Sequence, residues 1–357
     1  MEKEQKSGHL VLVMVPFQGH MTPMLQLATI LHSKGFSITI VHSELNSHDL
    51  SGHSEFAFVS IPNNLTRPQL LDGDLASFAL CLNKNCAAPL RQCLEQIVHS
   101  NSRITAVLYD LLLFCAQIIT DDLRLPEINL HTNSATTLLF FSQLDEKDFI
   151  FENDSLELQA LRLPRLRALI SRHPTETMAE MRIWLTNIMK SSSAIILNSM
   201  AFLEEEVILK VKEYFPTSIF AIGPLHKLAQ TICISILTED DKCIAWLDKQ
   251  APESVIYVSF GSMANIDEHE LIEMAWGLVD SGQPFLWIVR PGMVRGSEWK
   301  ETLPNGFDES VGERGRIVKW TPQKEALAHR AVGGFWSHCG WNLTIDREYL
   351  RRGADAV

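Results

Sequence analysis

The sequence is short of positive charge. It has 31 Lys and Arg against 43 Asp and Glu, a formal net charge of −12. A chain with that balance has no electrostatic footprint for nucleic acid. It also lacks CxxC. Its seven cysteines (Cys81, Cys86, Cys93, Cys115, Cys233, Cys243 and Cys339) are odd in number and scattered. That argues against a disulfide framework or a zinc site, and for reduced thiols in the cytoplasm. His329 and His338 have no acid at ligand spacing, so no metal site is expected. No window approaches the ~20 apolar residues of a membrane span, and the run Leu10–Val15 is too short for a signal-peptide core. GxGxxG, GxxxxGK[ST] and GxSxG are all missing. Those absences argue against the dinucleotide fingerprint, the P-loop and the hydrolase elbow.

What is present is ample apolar surface. Hydrophobic residues make up 46% of 357 positions and charged residues 21%. That length suits two domains. His9–Val15 ("HLVLVMV") is a continuous apolar run, as expected of a strand buried on both faces of a parallel sheet. Thr22 and Pro23 suit an N-cap and first helical position, the next residues have helical spacing, and Gly35 suits a left-handed stop. Phe36–His42 is a second strand, completing a βαβ unit. "ITAVLYD" (Ile104–Asp110) and "SSAIILNS" (Ser192–Ser199) read as further strands. Periodicity fails over Phe220–Lys242, which reads as a linker. It restarts at "SVIYVSFGS", followed by an acidic-headed helix and the strands "PFLWIVRP", "GRIVKW" and "VGGFWSH". The expectation is α/β, two doubly wound halves with a cleft between them: residues 1–225, a linker at 226–245, and 246–357.

Ligands in such sheets sit at the carboxyl ends of strands. His20, in the loop after the first strand, and Asp110, at the end of another, stand at such ends. A carboxylate holding one imidazole nitrogen would leave the other to accept a proton from a hydroxyl. A loop histidine and a helix-capping aspartate remain the plainer readings. In the second half, Gly261–Ser262 forms a tight turn whose N–H groups suit phosphate, or simply an ordinary βα turn. His338, Gly340 and Asn342 precede a helix expected near Trp341, where a diphosphate could rest. Trp320 ends a strand beside Pro322. If exposed, it could stack on a base, and otherwise it is core.

The stretches "PFQGHMTPMLQLATILHSKGFSITIVH", "VLYD", "AIGPLHKL", "SVIYVSFGS", "GERGRIVKWTPQKEALAH" and "AVGGFWSHCGWN" resemble the plant UDP-dependent glycosyltransferases of small molecules. The likeness is strongest to the cytokinin, diterpenoid and benzoxazinoid glucosyltransferase subgroup, and runs from about His9 to Asn342. The resemblance implies a GT-B fold of two Rossmann-like domains, acceptor-binding first and UDP-sugar-binding second. It implies inverting, metal-independent transfer from UDP-glucose, with no cofactor, to a hydroxyl or amine of a small lipophilic metabolite, by a cytoplasmic monomer. By position, His20 would be the general base and Asp110 its relay partner. Trp320 would stack on uracil, with Thr321 binding the base through its backbone and Gln323 beside it. Ser262, His338, Gly340 and Asn342 would hold the diphosphate, and Trp341 would contact the sugar.

Beyond "HCGWN" the family pattern of Ser, Thr, a hydrophobe and Glu gives way to Leu343, Thr344, Ile345 and Asp346. Leu343 replaces a diphosphate-binding hydroxyl. Asp346 stands, one methylene shorter, where a Glu grips the ribose. The family's later Asp-Gln pair would fall beyond Val357. The sequence therefore reads as truncated within the donor motif, with the apolar face of "VGGFWSH" left partly uncovered. The alternative function is a non-catalytic remnant that binds UDP or acceptor weakly or pairs with an intact relative. An NAD-dependent oxidoreductase is disfavoured by the missing GxGxxG.

Overall fold

The computed structural model describes residues 8–44, 52–63, 75–100, 103–143, 175–229, 235–262, 264–294 and 303–345. The chain divides into two compact units, Met1–Pro16 with His20–Ile232, and Phe17–Gly19 with Cys233–Val357.

The first unit runs β1 (Gly8–Val13), α1 (Gln18–Ser33), β2 (Phe36–Ser43), β3 (Ala57–Ile61), α2 (Leu75–His99), β4 (Ile104–Asp110), α3 (Cys115–Asp122) and β5 (Glu127–His131). It continues with α4 (Ala135–Gln143), α5 (Thr175–Ser191), β6 (Ala194–Leu197), α6 (Ala201–Tyr214), β7 (Ser218–Ala221) and α7 (Leu225–Leu228). Seven strands form one sheet in the order β3-β2-β1-β4-β5-β6-β7, every pairing parallel. Leu10–Val15 are all buried, as are Val107 to Asp110. A strand covered by helices on both faces has no solvent side, which is why these runs do not alternate.

Thr22 and Pro23 do not open α1. The helix begins four residues earlier, at Gln18, so His20 lies in its first turn rather than in a loop. Pro23 then sits inside the helix, where its missing N–H leaves only the carbonyl four residues back, that of Gly19, without its helical donor. Close to an N-terminus that loss is small, and local cap chemistry gives way to the packing of Met21, Met24 and Leu25, all buried.

The second unit contains α8 (Lys242–Leu247), β8 (Val255–Ser259), α9 (Glu268–Asp280), β9 (Phe285–Ile288), α10 (Phe307–Val311), β10 (Gly315–Val318), α11 (Gln323–Ala328) and β11 (Val332–Ser337). Residues 341–345 are also helical. Its sheet is again parallel, in the order β10-β9-β8-β11. Alternation along β9 divides its core. Leu286 and Ile288 join Tyr257, Val318 and Trp320 on one face. Phe285 and Trp287 join Val258, Leu271, Ala275 and Leu278 on the other. The last three recur at helical spacing on α9. Asp267 and Glu270 start that helix with a reciprocal capping box, at 2.8 and 3.0 Å. Trp336 on edge strand β11 is 37% exposed. Among the described residues no helix is long and apolar enough to cross a membrane.

One carboxylate settles the start of α4. Glu204, 7% exposed on α6, accepts from the Ala135 and Thr136 N–H groups at 2.9 Å each, from Thr136 Oγ1 at 2.8 Å and from Ser199 Oγ at 2.5 Å. Ser134 Oγ accepts from the Thr137 N–H. The helix's first three N–H groups are thus all satisfied by side chains. Glu204→Ala strands two buried donors and is expected to destabilise the first unit by roughly 2–4 kcal/mol, with Glu204→Gln losing less. Urea unfolding of the two variants against wild type checks the order. Equal midpoints for all three would contradict it.

Candidate functional site

In the first unit, strand order reverses between β1 and β4, which are parallel neighbours. At such a reversal the connections leave in opposite directions and open a crevice at the carboxyl ends. His20 follows β1 and Asp110 ends β4. His20 Nδ1 lies 2.8 Å from Asp110 Oδ2. It also lies 3.0 Å from Thr132 Oγ1, in the connection that follows β5. Asp110 is 1% exposed, and its second oxygen, Oδ1, accepts from the Leu112 N–H at 2.9 Å. The carboxylate is therefore fixed by its own loop and presents one oxygen to the imidazole.

That loop is itself tied down. The buried amide of Asn83 on α2 donates to the carbonyls of Ala79 and Leu112, both at 2.7 Å. Its Oδ1 accepts from the Cys115 N–H at 2.8 Å. Neither Asn83 nor Thr132 stood out in the sequence. Each stands among other polar residues, in "NKN" and "HTNS", and its partner lies 29 or 112 positions away.

Three polar residues, Glu127, Asn129 and His131, alternate along β5 and so share one face of the sheet, all buried. Among the described residues His131 Nε2 meets no partner. Burial pushes the His131 imidazole down to about 4, against the opposing pull of the Asp110 charge and with a smaller push from His20. Burial likewise raises the Glu127 carboxyl.

The second unit repeats the plan. Strand order reverses between β8 and β11, and the turns after these two strands carry Gly261–Ser262 and His338–Gly340. The turns meet at the histidine ring. A side chain on Gly261 would put a Cβ 2.7 Å from His338 Cε1, and one on Gly340 would put it 2.4 Å from Nε2. Only glycine on both sides leaves room for the imidazole. Gly261 (φ +72°) and Cys339 (φ +56°) both occupy the left-handed region, which turns the chain sharply after each strand. Ser262, His338 and Gly340 are half-buried, as are Trp341 and Asn342 at the head of the 341–345 helix, and Gln323 at the start of α11.

Of the two readings of Trp320, exposed ring or core, the structure favours the core. The residue is 6% exposed and packs among Cys243, Leu247, Tyr257 and Leu327. The end of a strand covered on both faces is still core, so most of the indole is committed to packing. Thr321 is 2% exposed, with its hydroxyl 2.8 Å from that of Tyr257, so any contact with a base falls to its main chain. Leu343 is buried at 8% exposure and acts as a packing residue. Asp346 lies outside the described residues.

Known proteins are similar to this chain in sequence and in fold. Residues 193–347 match the family model "UDP-glucoronosyl and UDP-glucosyl transferase". The chain is 41% identical over 355 residues to UDP-glycosyltransferase 76B1 of Arabidopsis thaliana, covering 97% of this chain and 79% of that protein. It is 43% identical over 357 residues to UDP-glycosyltransferase 76E1 of Solanum lycopersicum, covering 96% and 74%. Among solved structures, Os79 from O. sativa in complex with UDP superposes with a TM-score of 0.76 at 23% identity, covering 95% of this chain and 79% of that one. Medicago truncatula UGT71G1 complexed with UDP-glucose also gives 0.76 at 23% identity, covering 98% and 80%. The shared fold is GT-B, two Rossmann-like α/β domains.

The buried imidazole makes the first unit acid-sensitive. Its folded value near 4 lies below the ordinary 6.5, so the unfolded chain takes up the proton first as pH falls. Stability held above about pH 6.5 is lost progressively toward pH 4, on the order of 2 kcal/mol between pH 7 and pH 5. His131→Leu should remove that component, leaving a shallower pH dependence of the unfolding free energy. An unchanged slope would show that His131 is protonated alike in both states.

Proposed function

The chain belongs to the UDP-glycosyltransferase family, and we propose that it moves glucose from UDP-glucose to a hydroxyl or amine of a small lipophilic plant metabolite, with inversion at the anomeric carbon. The observation that carries this reading is the 2.8 Å contact between His20 Nδ1 and Asp110 Oδ2 at a reversal of strand order. Asp110 holds the proton on Nδ1 and leaves Nε2 as the accepting nitrogen. As the acceptor oxygen forms its bond to the anomeric carbon, its proton passes to His20 Nε2. The bond from that carbon to the diphosphate breaks, and its electron pair leaves on UDP. Buried Asp110 then stabilises the imidazolium. A single displacement of this kind inverts the carbon and needs no protein nucleophile. Thr132, on the same nitrogen, restrains the ring.

The second unit's part is to hold the donor. Ser262, His338, Gly340 and Asn342 are assigned to the diphosphate, whose charge they stabilise as it leaves. Trp320, Thr321 and Gln323 are assigned to the base, Trp341 to the sugar and Asp346 to the ribose. UDP-glucose in complex with the Medicago truncatula protein supports the donor assignment, and Trp341 fits the residue usual in glucose users.

His20→Ala is expected to lower transfer to alcohols by about 100-fold or more while UDP still binds. Initial rates with UDP-glucose, beside thermal shifts with UDP, separate the two properties. Loss of UDP binding with loss of transfer would make His20 structural. Faster transfer from UDP-galactose or UDP-glucuronate than from UDP-glucose would displace the donor assignment.

A further inference from the structure

Among the described residues, one buried charge in the second unit has no counter-charge. Arg290 lies two residues beyond β9 and is 5% exposed. Its Nε donates to the Gly261 carbonyl at 3.1 Å. Its Nη2 donates to the Ala264 carbonyl and to Asn265 Oδ1, both at 2.8 Å. All three acceptors are neutral, and among the described residues no carboxylate pairs with the guanidinium. Burial lowers its ionisation to about 10, with no neighbouring charge contributing, so it stays charged at neutral pH. A buried cation held only by neutral dipoles is costly unless something negative arrives to compensate it.

The backbone shows where. In a trans peptide the carbonyl and the following N–H point in opposite directions. The Gly261 carbonyl is aimed at the guanidinium, so the Ser262 N–H is aimed away from it. That N–H meets no acceptor among the described residues. Gly261 also lies against the His338 ring, so this N–H belongs to the turn that meets the one after β11. Main-chain bonds lace the turn to the Arg290 segment. Ile266 N–H donates to the Met293 carbonyl, Met293 N–H to the Arg290 carbonyl, and Ile266 bridges Val294. Gly261, Ala264 and Asn265 are thus tied to the Arg290 segment through both side chain and main chain.

We propose that Arg290 is a positioning residue for the donor diphosphate: by holding Gly261, Ala264 and Asn265 it aims the Ser262 N–H, and from behind it supplies the positive charge that the diphosphate completes. This rests on the reading that the second unit binds a UDP-sugar. It adds a residue that touches no ligand and acts through the Ser262 N–H and through its field, which a dry interior transmits well.

The full chain, titrated with UDP and separately with uridine, tests it. Arg290→Gln should weaken UDP by about 10- to 100-fold and leave uridine unchanged. Arg290→Lys keeps the charge but loses the fork, so it should fall between wild type and Arg290→Gln for UDP. Equal weakening of UDP and uridine in both variants would make Arg290 merely structural and overturn the proposal. So would UDP binding to Arg290→Gln within twofold of wild type. A wild-type chain that binds neither ligand would overturn the donor reading itself, a result visible before any variant is made.

Discussion

The packing of parallel strands between helices constrains everything else in this chain. It makes both faces of each sheet apolar, so polar chemistry is driven to the strand ends. Only where strand order reverses do two such ends stand side by side without a helix closing over them. β1 and β4 form that pair in one unit, and β8 and β11 in the other. The His20–Asp110 contact exists because two residues 90 positions apart follow neighbouring strands. The slot for the His338 ring exists because Gly261 and Gly340 do the same.

Much of this was legible in the sequence, for a physical reason. A strand buried on both faces is written as an unbroken apolar run, and β1, β4, β8 and β9 all read that way. Their ends placed His20, Asp110 and Ser262 near ligand positions, and the end of β11 did the same for His338. Strand order was not legible, because any permutation of these apolar runs could bury the same surface. The start of α1 was misplaced because Thr22 and Pro23 are good local cap residues, and packing overrode them. Trp320 was expected to be exposed if it bound a base, yet the structure gives most of its ring to the core.

Residues that work through distant partners were invisible. Glu204 belongs to "LEEE", which in sequence is a solvated helix face. In the structure, it takes a non-helical backbone conformation and turns inward to cap another helix. Arg290 in "WIVRPG" looks like a charge marking the end of a strand. Its carbonyl partners carry no side-chain signature, so no spacing rule finds them. Asn83 is alike, since both carbonyls it serves are main-chain. Dipole-to-backbone bonds hold both sites together, and a residue alphabet records only half of each bond.

Glu204 has a consequence for what can bind beside His20. A helix terminus attracts anions. At the head of α4 that attraction is already quenched by a carboxylate of the chain itself. An anion therefore gains nothing by settling at that terminus, three residues from Thr132, whose hydroxyl meets His20.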